Sequence, residues 1–89
     1  MIKKTAIIVN DLGLHARPSA MLVSTSSKFI SEVFFTKDSL RVNGKSIMGV
    51  MMLAAEKGSK LIVETDGEDE SEAMEQIIKV IESGFDEIG

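Results

Sequence analysis

The only proline of this 89-residue chain, Pro18, stands where an apolar, β-branched run gives way to a helical pattern, and it constrains how the N-terminal part can fold. Lys4 to Val9 predicts a strand. Pro18 to Phe29 predicts a helix with Leu22, Val23, Ser26 and Phe29 on its inner face. Proline suits the first turn of a helix, where its missing N–H costs nothing. It also disfavours helical geometry in the residue before it, so the helix is expected to begin at Pro18 itself rather than at Arg17. Between strand and helix lies a tight loop, with Gly13 free to bend and His15, the only histidine, at its end.

That placement carries chemistry. The first amides of a helix have no internal partners and sum to a partial positive charge, which attracts anions. A neutral imidazole is a nucleophile at physiological pH. Arg17 adds a charge-assisted donor two residues away. These parts together read as a histidine that receives a phosphoryl group, with Arg17 and the free amides holding the new negative charge. A histidine near a helix start is more commonly a polar cap or a surface residue; the flanking Gly13, Arg17 and Pro18 set this one apart.

A chain of this length allows a single domain, here residues 1–89, burying about 60–65% of its unfolded surface, enough for one core and no deep cleft. The absence of cysteine excludes disulfides and thiolate metal sites and makes the cytoplasm the expected location; no metal and no cofactor is expected. The start, Met1-Ile2-Lys3-Lys4, leads into a strand-length run instead of a signal peptide, and no apolar stretch approaches 18 residues, so no membrane insertion is expected. Charge is uneven: the chain through Val63 carries a balance of +5, and Glu64 onward a balance of −9. Glu68, Asp69, Glu70 and Glu72 would complement a helix start. The positive part holds His15, which favours an anionic or acidic partner, whereas the lack of Trp, Tyr and a dense basic stripe argues against nucleic acid.

Periodicity predicts further elements: strands at Glu32–Thr36 and Leu40–Val42 joined by a hairpin at Lys37-Asp38-Ser39, a short helix over Ser46–Glu56 closed by Lys57-Gly58-Ser59, a strand at Lys60–Thr65, and a last helix over Asp69–Ser83. The core face of that last helix is expected to be Ala73, Met74, Ile77, Val80, Ile81 and Gly84. The order β-α-β-β-α-β-α has too few strands to cover both faces of a sheet. The expected class is therefore α+β: an open-faced β-sandwich, a four-stranded antiparallel sheet with three helices on one face.

A second informative stretch runs from Gly44 to Ala54. Gly44-Lys45-Ser46 invites a nucleotide-binding reading, but the leading glycine of a phosphate-binding loop would fall on Ser39, which rules the motif out. Ser46 reads instead as the cap of the short helix. Val50, Leu53 and Ala54 make one apolar face of that helix, and Ile47, Met48, Met51 and Met52 a second. A short helix on a small sheet buries one side only, so part of the methionine face is expected outside, where methionine adapts to several partners.

Gly13-Leu14-His15-Ala16-Arg17-Pro18 resembles the active-site signature of the HPr family, the phosphocarriers of the bacterial phosphotransferase system. Lys45-Ser46-Ile47-Met48, followed by Val50 and Leu53, resembles that family's regulatory serine signature. The two motifs stand in the family's order and the resemblance covers essentially the whole chain. It implies the same open-faced sandwich, and a carrier rather than a stand-alone enzyme. His15 would take phosphate on Nδ1 from phosphorylated enzyme I and pass it to the IIA component of a sugar permease. Arg17 would stabilise the phosphate with the Ala16 and Arg17 amides, and Ser46 would be phosphorylated by an HPr kinase/phosphorylase. Ala20, Met21, Ile47, Met48, Met51 and Met52 would meet protein partners, and the chain would work as a monomer. Departures from common members are Ser19 in place of alanine, and Ser24, Ser27 and Gly49 where some members carry lysines that meet enzyme I. Two other classes compete. A regulatory relative working chiefly through Ser46 would have no need of His15. A Ser-His-Asp hydrolase using Asp11 would need a nucleophile elbow, and the chain has none.

Overall fold

The computed structural model describes residues 1–87. Its elements follow the order β1 (Ile2–Ile7), α1 (Ala16–Ser27), β2 (Glu32–Lys37), β3 (Leu40–Asn43), α2 (Ile47–Met52), β4 (Lys60–Asp66) and α3 (Glu70–Glu82), with a 3-10 turn at Gly84–Asp86. The four strands form one antiparallel sheet in the order β1-β4-β2-β3. The helices pack on one face: α3 against β1 and β4, α1 against α3, and α2 against α1 and β3. This is the expected open-faced sandwich.

Alternation along the strands decides which face is covered. Val33 and Phe35 of β2, and Leu61, Val63 and Thr65 of β4, point inward and are fully or almost fully buried. They meet Leu22 of α1, Val50 and Leu53 at α2, and Ala73, Met74, Ile77 and Ile81 of α3. On the uncovered face Arg41 lies over the Phe34 ring, 3.8 Å from its centroid, and pairs with Glu64 at 3.1 Å.

Several expected boundaries move, each for a local reason. β1 spans Ile2–Ile7 instead of Lys4–Val9, because its ladder to β4 runs from Ile2 opposite Thr65 to Ile7 opposite Lys60. Beyond it Ile8 is held by exchanges with Ser59 and Gly58 (3.0 and 2.7 Å), and Val9 turns outward. α1 begins at Ala16, two residues before Pro18. Its first bond runs from the Ser19 amide to the His15 carbonyl (3.0 Å), so proline at the third helical position still sacrifices no hydrogen bond. α1 ends at Ser27, so Phe29 lies beyond it and only partly buried; within the helix Leu22 and Ser26 are buried and Val23 only partly. α2 stops at Met52, well short of Glu56. Ala54 takes a left-handed conformation (φ 48°) and faces out, which leaves Ala55 to turn inward instead. The α3 face is as expected except that Val80 is only half-buried. Asp69 does not cap α3 with its side chain: its carboxylate reaches back to the loop after α1, accepting from the amides of Ile30 (3.0 Å) and Ser31 (2.9 Å) and from the Ser31 hydroxyl.

Candidate functional site

The loop between β1 and α1 is built against the loop after α2. Leu14 donates its amide to the Ala55 carbonyl at 2.9 Å, and Gly13, in the left-handed region at φ 63°, lets the two backbones touch. Within the loop the Gly13 amide donates to the Asn10 carbonyl (3.2 Å), and the Asn10 side-chain amide donates to the Gly13 carbonyl (2.9 Å). The Ser19 hydroxyl donates back to the Leu14 carbonyl at 3.0 Å from a fully buried position. Serine at that place thus ties the loop to the first turn of α1.

This scaffold sets His15 at the N-cap of α1 in an extended conformation (φ −73°, ψ −174°). Its imidazole makes no capping bond to the helix, so the polar-cap reading does not account for it. The side chain is 37% exposed, and Nε2 lies 2.8 Å from Oε2 of Glu87, leaving Nδ1 for other chemistry. No described residue accepts from the amides of Ala16 and Arg17, which point out of the helix start as an anion site requires. Arg17 is exposed on the same turn, and among the described residues no ion pair engages it. A shallow groove runs from Arg17 past Ala20 and Met21 to Lys28, which joins two of the expected partner-facing residues to the site.

Glu87 and Asn10 are the members that sequence reasoning missed. The carboxylate of Glu87 accepts from Asn10 through Oε1 (2.8 Å) and meets His15 through Oε2. The Asn10 amide first, then the His15 hydrogen bond and the charges of His15 and Arg17, hold this carboxyl below its ordinary pKa against the opposing effect of burial. An asparagine three residues after the end of β1, in the loop of His15, was a weak available signal for Asn10; nothing local marks Glu87, which stands 72 residues from His15. Asp11, the third member of the rejected hydrolase, instead pairs with Lys57 at 2.8 Å and lies exposed.

Ser46 caps α2 as expected, its Oγ accepting from the Gly49 amide at 3.1 Å. Ile47, Met48, Met51 and Met52 are all exposed, Met48 by 77%, so the second apolar face of α2 lies wholly outside the core. Among the described residues no cluster of metal-ligating side chains occurs, and no helix is long and apolar enough to cross a membrane.

Known proteins resemble this chain over nearly its full length. A family profile described as "PTS HPr component phosphorylation site" matches residues 2–83. The chain is 54% identical over 87 residues to the phosphocarrier protein HPr of Neisseria meningitidis serogroup A, covering 98% of each chain. It is 46% identical over 82 residues to an HPr-like protein, Crh, of Halalkalibacterium halodurans, covering 92% of this chain and 98% of that one. The crystal structure of HPr from Thermoanaerobacter tengcongensis superposes with a TM-score of 0.96 at 44% identity, over the whole of both chains.

Proposed function

The chain belongs to the HPr family of phosphotransferase-system phosphocarriers, and from that premise we propose that His15 accepts a phosphoryl group from phosphorylated enzyme I and passes it to the IIA component of a sugar permease. The observation that carries the proposal is the position of His15: at the start of α1, spent on no cap, beside two outward amides and the guanidinium of Arg17, which makes no ion pair among the described residues. A phosphoryl group on Nδ1 meets three donors there with no reorganisation of the backbone. The groove through Ala20 and Met21 and the apolar pad of Ile47, Met48, Met51 and Met52 support docking of partner proteins. Ser46 at the edge of that pad serves as a regulatory site for an HPr kinase/phosphorylase. In this reading the protein is a single-domain monomer of the cytoplasm, residues 1–89, that needs no cofactor.

The test is incubation with enzyme I and labelled phosphoenolpyruvate. The unaltered chain should take up label that is acid-labile and base-stable, as a phosphoramidate is. His15→Ala should unfold at the same denaturant concentration and take up none. Stable labelling of the alanine variant would refute the assignment.

A further inference from the structure

We infer that Asn10 and Glu87 are positioning residues for His15: they hold its imidazole as the Nε2–H tautomer, so that Nδ1 keeps the lone pair that takes the phosphoryl group. The inference rests on the carrier reading above for the reaction, and on three side chains for the rest.

Donor and acceptor capacity determines each bond in the chain. An ionised carboxylate only accepts, so the 2.8 Å contact between Glu87 Oε2 and His15 Nε2 requires the proton on Nε2. Oε1 of the same carboxylate accepts from Asn10 Nδ2 at 2.8 Å, and Nδ2 also donates to the Gly13 carbonyl at 2.9 Å. Both partners of Nδ2 are pure acceptors, so the Asn10 amide has one possible orientation. It keeps that orientation although its Oδ1 is left buried with no partner among the described residues, and Asn10 as a whole is only 3% exposed. Turning the amide over would set an oxygen against a carboxylate and a carbonyl.

Backbone strain brings Glu87 to this place. Gly84, Phe85 and Asp86 all adopt left-handed geometry, at φ 72°, 59° and 58°. Two of the three are not glycine, and such residues persist only where their surroundings over-determine them. Phe85 supplies that constraint, being completely buried. The turn it anchors reverses the chain after α3 and delivers Glu87 to the β1–α1 loop.

The transfer step then balances without a proton leaving or entering. The Nδ1 lone pair forms the new N–P bond, and the bond from phosphorus to the donor breaks with its electron pair staying on the donor. His15 keeps its Nε2 proton and becomes a phosphoimidazolium. The anionic Glu87 lies against the N–H of that cation, and onward transfer runs the same steps in reverse.

Glu87→Gln gives a sharp test. Asn10 would still donate to the one carbonyl oxygen of the glutamine, which leaves the glutamine NH₂ facing His15 Nε2. That donor favours the Nδ1–H tautomer, in which Nδ1 has no lone pair for attack. Glu87→Ala merely removes the preference. The ring-nitrogen shifts of His15 by NMR should show the Nε2–H form in excess by roughly tenfold or more in the unaltered chain, less in Glu87→Ala, and a minority in Glu87→Gln. Phosphoryl uptake from enzyme I should fall in the same order, with Glu87→Gln slower by about ten- to a hundredfold. In Asn10→Ala/Glu87→Gln the glutamine can turn its oxygen to His15, and the Nε2–H form should recover. A role in packing alone would rank the single variants the other way, since glutamine keeps the volume of glutamate. Identical nitrogen shifts in all variants, or an alanine variant slower than the glutamine one, would overturn the inference. Failure of every protein, the unaltered chain included, to take up phosphate would refute the carrier reading, while the nitrogen shifts would still decide the tautomer.

Discussion

A β-carbon on Gly13 would stand 2.2 Å from the carbonyl oxygen of Ala55, the same oxygen that accepts the Leu14 amide. The two loops that frame His15 are therefore in backbone contact, and only a residue without a side chain permits it. This couples the conformation of the His15 loop to the point where α2 ends.

Gly13→Ala should accordingly do more than strain one dihedral. The φ of 63° and the clash with backbone act together, and the expected loss is about 2–4 kcal/mol in urea unfolding. Gly58 provides the control. Its φ of 90° is also unfavourable for alanine, but nothing lies within 4 Å of the added carbon, so Gly58→Ala should lose only about 1–2 kcal/mol. Equal losses at the two positions would show that the contact with Ala55 does not matter.

Arg17 should matter to transfer and not to folding. It is exposed and, among the described residues, makes no ion pair, its charge acting only at a distance on Glu87, so in the proposed function its guanidinium is available to the phosphoryl group. Arg17→Ala should slow phosphoryl transfer by roughly one to three powers of ten, comparable to losing one electrostatic stabiliser. The thermal midpoint should stay where it is; a large fall in it would assign Arg17 a structural role.

Much of this architecture is legible in the chain, because short amphipathic elements announce themselves through spacing. Val33 and Phe35 alternate, Ala73, Met74, Ile77 and Ile81 follow a helical period, and Asp38-Ser39 forms the hairpin turn between paired Lys37 and Leu40. The end of α2 is less legible. Ala54 has high helix propensity and no local reason to turn left-handed; the demand comes from Ala55, whose carbonyl is needed by Leu14 far away in sequence. The same holds in the site. His15, Arg17 and Ser46 stand in contiguous motifs and Asn10 opens the same loop as His15, whereas Glu87 joins them only through a tertiary turn. The acidic residues near α3 look alike in sequence, yet Asp69 reaches for the loop at Ile30 and Ser31 and Glu87 for the histidine.

The Asp69 contact makes stability depend on pH in a defined direction. The Ser31 hydroxyl first, with the Ile30 and Ser31 amides, lowers the Asp69 pKa below 3.8 in the folded chain. A carboxylate with a depressed folded pKa contributes stability that is fully present above its unfolded value and is lost as pH falls through the folded one. Asp69→Asn should therefore lower the unfolding midpoint at neutral pH, and the gap between variant and unaltered chain should close as the solution is taken below about pH 4. Ser31→Ala should behave likewise with a smaller gap, since both amides remain. A gap that stays constant between pH 7 and pH 3 would mean that the ionised carboxylate is not the source of the effect.

Phosphorylation of Ser46 should switch docking without refolding the chain. Its Oγ caps α2 by accepting from the Gly49 amide, and a phosphate there keeps acceptor oxygens at a helix start while adding roughly −1.5 to −2 charges. The helix dipole favours that charge, so the fold should survive. The neighbouring surface should not favour it. Ile47, Met48 and Met51 are exposed beside Ser46, and a partner that covers them must desolvate a dianion at the edge of the contact or meet it with its own acidic groups. Ser46→Asp should reproduce the effect weakly, lowering affinity for enzyme I by about tenfold. Titration of enzyme I against the variant and the unaltered chain, with circular dichroism on both, separates the possibilities. Unchanged affinity would refute the docking block. Weaker binding with an altered spectrum would show instead that the charge acts by disrupting α2.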